Sequence, residues 1–248
     1  MLNLKPKYVV DYIENAGHYY IIDGMKYGSV TSVLKIIGGD KTDALMGWSK
    51  KVALNYVSEE LKQQLGKDIK INEEFIDQIM KAGSKRPEYE KTKAGDFGTA
   101  AHELIDTWIK TKSVPKDDNI CKPVFDGFMK FIKEHNYNIV SPDLILGSRQ
   151  YGFGGRGDGV IMDKDGNYII LDFKTGFVSA DAHLQVSAYA HCFSEQYGVP
   201  VPKQCIIIKF YKDQPVYEIH EVNNVDECFK AFLAAKVLKE TIEGISKK

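Results

Sequence analysis

The chain has few cysteines, and no two of them lie close together in the sequence. The four are Cys121, Cys192, Cys205 and Cys228. Zinc and iron–sulfur sites usually need clustered thiolates, such as a Cys-x-x-Cys pair, and this spacing offers none. We therefore expect reduced, mostly buried thiols and no iron–sulfur cluster.

Long apolar runs are also missing. No segment approaches the roughly 18 apolar residues that a membrane-spanning helix needs. The first residues, MLNLKPKYVV, carry charge too early for a signal peptide. These features lead us to expect a cytoplasmic protein.

The chain carries almost no excess charge, with a formal net charge of −1 at pH 7. This balance argues against binding of nucleic acid over the whole surface, so any such contact requires a local basic patch. The chain has 248 residues, of which 44% are hydrophobic. That is enough to bury a full core as one large α/β domain, with or without a helical insertion.

The middle of the chain predicts a β-hairpin that carries two aspartates and a lysine. Two apolar runs, residues 159–162 and 168–173, are separated by turn-forming residues. Asp158 enters the first strand and Asp172 leaves the second, so antiparallel pairing brings them to the same end of the sheet. Lys174 follows two residues later, and the strand period of two places it on the face of Asp172.

Two carboxylates and an ammonium group on one patch suit phosphodiester hydrolysis. Carboxylates hold Mg²⁺ or Mn²⁺, which activates water, and a lysine can orient the nucleophile or stabilise developing charge. An acidic residue two positions before a lysine also occurs at Glu60 and Asp68, so this spacing alone is not specific. Asp172 differs because it closes an apolar strand opposite a second aspartate. The alternative is an exposed hairpin with solvated charges.

Residues 152–157, GFGGRG, match the G-x-G-x-x-G fingerprint of dinucleotide-binding folds. That fingerprint must follow a strand and open a helix, whereas a strand and a turn are predicted to follow here. The pattern therefore argues against a dinucleotide site. We expect the glycines to let the backbone bend tightly beside the hairpin.

The flanking sequence predicts both strands and helices. Residues 7–13 and 18–22 predict a second hairpin, followed by a short helix capped by Ser29 or Thr31 and a longer helix capped by Thr42. Further helices are predicted over residues 97–111, 117–135, 181–197 and about 224–244, and strands over residues 138–147, 205–211 and 216–221.

Residues 66–96 are polar and contain the most basic stretch of the chain. Its cationic residues are Lys81, Lys85, Arg86, Lys91 and Lys93. This stretch predicts either contacts with phosphate groups or a mobile, solvated loop.

In the helix predicted to start at Phe97, the residues Gly98, His102 and Asp106 share one face. A lone helical histidine is usually structural. The glycine one turn earlier would let the helix approach another backbone closely, which would bring His102 near whatever the helix packs on.

Four short patterns occur in order along the chain. They are Gly98-x-x-x-His102, Gly155-x-x-Asp158, Asp172-x-Lys174 and Gln185-x-x-x-Tyr189. Together they resemble the RecB-like branch of the PD-(D/E)xK nuclease superfamily, over roughly residues 94–195. Residues 27–34 and 43–49 are also similar to the N-terminal part of phage exonucleases and of the mitochondrial genome maintenance exonuclease.

This resemblance implies an α/β fold with a restriction-endonuclease-like core, in which α-helices flank a twisted mixed β-sheet and bracket a metal site. It also implies a single nuclease domain over residues 1–248. Within it, residues 1–93 would form a hairpin and a helical arch or clamp, and residues 94–248 would form the catalytic core.

The resemblance further implies roles for individual residues. His102, Asp158, Asp172 and the Phe173 carbonyl would bind Mg²⁺ or Mn²⁺, and Lys174 would position the attacking water. Contacts with DNA or support of the site would come from Gln185, Tyr189, Gly98, Lys85 and Arg86.

The chain departs from the family pattern at two points. Many RecB-like members carry a glutamate on the strand before the glycine turn, where this chain has only Asp143 or Gln150. Some relatives hold an iron–sulfur cluster on four cysteines, and the cysteine spacing of this chain lacks that pattern.

Two functional hypotheses follow. The first is a Mg²⁺- or Mn²⁺-dependent DNA exonuclease of bacterial or phage origin. It would act on single strands or ends and leave 5′-phosphates, with a recombination or replication protein as a candidate partner. An endonuclease with the same centre is the enzymatic alternative. The second hypothesis is a catalytically silent module on the same fold that binds nucleic acid or a partner.

Overall fold

The computed structural model of the protein describes residues 4–14, 18–67 and 71–246. The backbone divides into two compact units. The first unit consists of Met1–Ile37 and Ala100–Lys248, and the second consists of Gly38–Thr99.

The first unit begins with a small antiparallel sheet. Its strands are β1 (Val10–Ile13), β2 (Tyr19–Ile22) and β3 (Met25–Tyr27). The predicted pairing of β1 with β2 is confirmed, whereas the short β3 was not predicted. The connection predicted over residues 14–17 lies mostly outside the described residues.

Helix α1 (Val30–Leu34) follows this sheet, and Ser29 caps it as predicted. The Ser29 hydroxyl accepts a hydrogen bond from the main-chain nitrogen of Ser32, which satisfies a donor at the start of the helix. A short 3₁₀ turn, Lys35–Ile37, completes this segment.

The second unit contains helix α2 (Gly39–Lys62) and the first part of helix α3 (Glu73–Thr111). The predicted N-cap of α2 was wrong. The helix begins at Gly39, so Thr42 lies within its first turn, and the Thr42 hydroxyl donates to the carbonyl of Gly38.

For residues 66–96 a mobile loop was one of two alternatives, but residues 73–96 are helical, since α3 runs without interruption from Glu73 to Thr111. Lysine and glutamate are frequent in this segment and favour helix, and Phe75, Ile76, Ile79 and Met80 recur at helical spacing. The basic stretch therefore lies on a helix, and the alternative of a mobile loop is wrong.

The main sheet of the first unit has five strands and three flanking helices that follow α3 in the chain. The elements are α4 (Lys122–His135), β4 (Asn138–Ser148), β5 (Phe153–Met162), β6 (Tyr168–Lys174), α5 (Ala180–Tyr197), β7 (Gln204–Phe210), β8 (Tyr217–Val222) and α6 (Val225–Ser246). The strand order is β4-β5-β6-β7-β8, and only the β6–β7 pair is parallel. The predicted α/β fold with a mixed sheet flanked by helices is confirmed.

Most boundaries lie within a few residues of the prediction. Helix α4 is an exception, because it begins at Lys122 rather than at Asp117. The side chain of Asn119 accepts a hydrogen bond from the nitrogen of Cys121 and forms a local turn that delays the helix.

Apolar side chains bury the sheet on both sides. Helices α1, α5 and α6 share one core with the sheet, which includes Ile170, Val186 and Phe232. In another aromatic cluster, Phe128 of α4 contacts both Trp108 and Phe173 edge to face. None of the helices in the described parts of the chain combines the length and the apolar character needed to cross a bilayer.

Candidate active site

The site lies where the β5–β6 ladder stops. The last pair of that ladder is Gly159 with Leu171, so Asp158 and Asp172 follow it directly on neighbouring strands. Asp158 was predicted to begin its strand. It lies inside β5 instead, because that strand begins at Phe153. The expected meeting of the two aspartates at one end of the hairpin is nevertheless observed.

Hydrogen bonds fix the Asp158 carboxylate from two sides. Its Oδ1 lies 3.0 Å from Nδ1 of His102, and its Oδ2 accepts a hydrogen bond of 2.6 Å from the main-chain nitrogen of Phe173. The His102 ring also stands edge to face against the Phe173 ring, with centroids 5.9 Å apart. Helix α3 and strand β6 therefore both hold Asp158.

Asp172 is 2% exposed, and its charge is balanced by Lys174. Nζ of Lys174 lies 2.6 Å from Oδ2 of Asp172, as the strand period of two predicted. Apart from Lys174, no donor among the described residues contacts Oδ2. Burying a carboxylate is costly unless a cation lies beside it, and Lys174 is that cation here.

Burial and charge shift the pKa values of the two aspartates in opposite directions. Burial raises the pKa of Asp172 to about 6, although Lys174 opposes the rise. Burial acts in the same direction on Asp158, but His102, Lys174 and the Phe173 nitrogen together hold its pKa below the ordinary value. Asp158 is therefore the stronger acid of the pair.

The pKa values of the two basic side chains of the site, Lys174 and His102, are both raised. Burial lowers the pKa of Lys174, but Asp172 and Asp158 outweigh burial and raise it overall. His102 behaves in the same way, because the Asp158 carboxylate more than offsets burial and raises its pKa. The cluster is thus a network of charged groups rather than an apolar pocket.

Helix α5 closes the other side of β5 through Tyr189, which is 2% exposed. The Tyr189 hydroxyl accepts a hydrogen bond of 2.9 Å from Nε2 of Gln185. A Cβ atom on Gly155 would lie 2.2 Å from the Tyr189 ring, so only glycine leaves room for this tyrosine.

The expected bend in the glycine run is found only at Gly152, which lies in a turn with a φ of +64°. Residues 153–157 are strand, not a bend, and Gly154 pairs with Gly147 of β4. A Cβ on Gly154 would lie 2.3 Å from Tyr20, so the glycines admit aromatic rings on the sheet. The rings that Gly154 and Gly155 accommodate belong to Tyr20 and Tyr189, which are distant in the sequence. The glycine run by itself therefore gave no signal that it packs against these rings.

A second group of charges lies beside the site; sequence reasoning named Asp106 and Asp143 but not Arg156. The guanidinium of Arg156 binds both oxygens of Asp143 through Nε and Nη2. Asp106, on the same face of α3 as His102, is half-buried. Burial and then the Asp143 carboxylate raise the pKa of Asp106 to about 6. The spacing of Asp106 from His102 was the only local signal for this group.

Three predicted residues lie in the second unit. Gly98, Lys85 and Arg86 are on α3, and Arg86 contacts residues of its own unit. Its guanidinium lies 4.8 Å from the ring centroid of Tyr89 and pairs with Glu90 at 2.7 Å. The roles predicted for these three residues stay predictions.

The side chains of the site carry the types of ligand atom that bind divalent metal ions. Two carboxylates and an imidazole are ligands that Mn²⁺ and Mg²⁺ accept. Within the described residues, no three His, Cys, Asp or Glu side chains converge as a ready-made metal cage. Any ion here would therefore also need the Phe173 carbonyl or water among its ligands. The four cysteines are buried, as predicted, and none is near this cluster in sequence.

Comparison with solved structures gives only weak likenesses. The alkaline exonuclease LHK-Exo from Laribacter hongkongensis matches with 13% sequence identity and a TM-score of 0.31, over 59% of this chain and 86% of that chain. The complex of LHK-Exo with dAMP gives the same values. The structure of SSO0001 matches with 13% identity and a TM-score of 0.31, over 81% of this chain and 87% of that chain.

Likenesses this weak do not define an activity. No protein-family model matches the chain, and no curated protein matches it.

Proposed function

We propose that the chain is a divalent-metal-dependent deoxyribonuclease that works as an exonuclease on single-stranded DNA or DNA ends. One observation carries this proposal: the carboxylates of Asp158 and Asp172 lie on neighbouring strands where the β5–β6 ladder stops, with His102 and Lys174 against them. Two carboxylates beside an imidazole and an ammonium are the groups that hold a divalent ion and orient water in phosphodiester hydrolysis.

The ligands of the ion would be Asp158, Asp172, His102 and the Phe173 carbonyl. When bound, Mg²⁺ or Mn²⁺ would make a water molecule more acidic and neutralise charge on the scissile phosphate. Lys174, whose ammonium lies 2.6 Å from Asp172, would stand beside this ligand set.

The protein groups then position the reactants. Asp158 is held at both oxygens, which keeps its carboxylate in a single orientation before substrate arrives. Asp172 and Asp158 raise the pKa of Lys174, and its ammonium would orient water and stabilise negative charge that develops on the phosphoryl oxygens.

Helix α5 would support the site from the opposite side of β5. Tyr189 packs against Gly155, and Gln185 donates to its hydroxyl, so the Gln185 amide is held in a fixed position. In this proposal Gln185 and Tyr189 brace the site, and the amide is available to phosphate oxygens of the strand.

The second unit, Gly38–Thr99, would act as the arch or clamp that admits a free strand. Exposed Lys85, Trp48 at 37% exposure and Arg86 beside Tyr89 supply the cationic and aromatic groups that bind single strands. An arch that admits only a free strand would make the enzyme an exonuclease. An endonuclease with the same catalytic centre would not need a DNA end.

The deciding experiment measures degradation of end-labelled single- and double-stranded DNA with Mg²⁺, Mn²⁺ or EDTA. We expect metal-dependent cleavage by the wild type, and a loss of at least roughly 10³-fold in Asp172→Ala and Lys174→Ala. Asp165→Ala is the matched control, because this exposed aspartate lies in the turn of the same hairpin.

Circular single-stranded DNA tests the exonuclease assignment, since a circle offers no end. Cleavage of circles would replace the exonuclease with an endonuclease. An inert wild type that still binds DNA would favour a silent binding module, and equal activity in the two variants would remove the assigned centre.

A further inference from the structure

An exposed aromatic side chain follows closely after Lys174 in the chain. It belongs to Phe177, which is 80% exposed. Among the residues of the first unit that the structure describes, Phe177 is the one phenylalanine, tyrosine or tryptophan that is exposed. Single apolar residues are common on protein surfaces and need no explanation by themselves. What separates Phe177 from the others is its place beside the proposed catalytic cluster.

The chain on both sides of Phe177 is fixed to the body of the protein. Lys174 is the last residue of β6, and Ser179 is the N-cap residue of α5. Between them, Val178 is partly buried and packs against the main core. Phe177 therefore stands on a short connection, residues 175–179, that is held at both ends, and its ring points to solvent while its apolar neighbour packs inward.

The length of the connection limits how far the ring can lie from the site. Phe177 follows Lys174 by three residues, so their α-carbons are at most about 11 Å apart. Successive nucleotides of one stacked strand rise by about 3.4 Å. A base between one and about three nucleotides away from a phosphate at Lys174 is therefore within reach of the ring.

The chemistry of the ring selects the kind of group that it can bind. A phenyl ring offers an apolar face with no hydrogen-bonding group, so it does not bind phosphate or sugar hydroxyls. It can stack on a nucleobase, and such stacking accepts all four bases because each has an aromatic face. The base must be unpaired, since stacking partners within a duplex already cover both of its faces.

We propose that Phe177 stacks on an unpaired base of the DNA strand whose scissile phosphate lies at Lys174, and so positions that phosphate without selecting a sequence. On binding, the ring gains the apolar contact that it lacks in the free protein. This inference rests on the proposed function, because it takes Lys174 as a group that contacts the scissile phosphate.

The test combines a change in the protein with a change in the substrate. Wild type, Phe177→Ala and Phe177→Trp each receive end-labelled single-stranded DNA with Mn²⁺, either intact or with one abasic nucleotide at a known position. Phe177→Ala should cleave intact DNA more slowly by roughly 5–150-fold, the loss that corresponds to one base–aromatic stack. Phe177→Trp should cleave at close to the wild-type rate, because tryptophan also stacks.

The matched control is Val237→Ala, which removes another exposed apolar side chain, from α6. It should leave cleavage of both substrates unchanged. On the abasic strand, wild type should pause at a fixed distance from the abasic nucleotide, where Phe177 meets no base. Phe177→Ala should show no added pause, because the stack is already lost and the two changes are not additive.

The outcomes separate this inference from the proposed function. A wild-type rate for Phe177→Ala on intact DNA overturns the stacking role and leaves the nuclease assignment in place. The same conclusion follows if wild type does not pause on the abasic strand, or if Phe177→Ala pauses as wild type does. No cleavage of intact DNA by wild type overturns the proposed function and this inference with it. Thermal unfolding shows whether each variant is folded.

Discussion

The main-chain nitrogen of Phe173 donates to Oδ2 of Asp158 at 2.6 Å, just beyond the last β5–β6 pair. A strand nitrogen at this point would ordinarily donate to a carbonyl of the neighbouring strand. Here an aspartate side chain takes that place. The bond helps to lower the pKa of Asp158 and ties its carboxylate to the strand that carries Asp172 and Lys174.

His102→Ala should weaken Mn²⁺ binding by roughly 10–100-fold, because it removes a proposed ligand that also orients Asp158. His191→Ala is a matched control, since His191 also pairs with an aspartate, Asp226, at 3.1 Å. Calorimetry with Mn²⁺ checks both variants. Equal affinities in the two variants would remove His102 from the metal site.

Gly155→Ala should destabilise the fold by roughly 1–3 kcal/mol, because its Cβ would lie 2.2 Å from the ring of Tyr189. Gly95→Ala is the control, since Gly95 lies in α3 with nothing within 4 Å of an added Cβ. That change should be neutral or stabilising by up to about 1 kcal/mol. Urea unfolding measures both, and an unaffected Gly155→Ala would contradict the close approach.

The two parts of Tyr189 should contribute differently to stability. Tyr189→Ala removes a buried ring and should cost about 3–5 kcal/mol, whereas Tyr189→Phe removes only the hydroxyl that Gln185 binds. The phenylalanine variant should cost about 1 kcal/mol. Chemical unfolding compares them, and similar losses in both would place the stabilisation in the hydrogen bond rather than in packing.

Asp106 should make stability fall as pH rises. Its folded pKa is raised to about 6, first by burial and then by Asp143, with Lys110 and His102 opposing and Asp158 adding to the rise. The folded state thus holds a proton that the unfolded state releases between about pH 4 and pH 6. The stability that this proton confers is present below about pH 4 and is lost as pH rises through about 6.

Asp106→Asn should therefore gain stability relative to wild type on going from pH 4 to pH 7.5. The gain should be on the order of 1 kcal/mol, because the carboxylate is only half-buried and solvent screens it. Thermal unfolding in EDTA at both pH values measures the difference. A difference between variant and wild type that does not change with pH would assign the titration elsewhere.

Lys85→Ala and Arg86→Ala should each weaken binding of single-stranded DNA and reduce its salt dependence, if the second unit contacts the strand. Lys164→Ala is the matched control, since it removes one exposed positive charge from the hairpin turn. Fluorescence anisotropy over a range of salt concentrations checks the three variants. An equal effect of all three would indicate general charge attraction rather than a site.

The sequence correctly predicted those strands and helices that are marked by a regular spacing of apolar residues along the chain. The strand period of two placed Lys174 beside Asp172, and the apolar runs located β6 and β7 to within a residue or two. Helix α5 was also predicted closely, because its buried face recurs at helical spacing. Side-chain periodicity follows directly from backbone geometry, so a single sequence suffices for these features.

Two errors arose where local patterns are ambiguous. For residues 66–96 a mobile loop stayed open as an alternative, but residues 73–96 belong to α3, where helix-forming lysines and glutamates accompany Phe75, Ile76, Ile79 and Met80. Glycines in residues 153–157 suggested a bend, but they lie in a strand that aromatic rings approach. In both cases polarity or flexibility alone did not identify the backbone conformation.

What the sequence by itself determined is the order and type of most elements and the pairing of two aspartates with a lysine on one hairpin. Only the tertiary structure decided that His102 meets Asp158, that Arg156 holds Asp143, and that Asp172 is almost completely buried. These contacts depend on strand register and helix packing between distant segments. Burial and charge then set the pKa values, and no local pattern contains those distances.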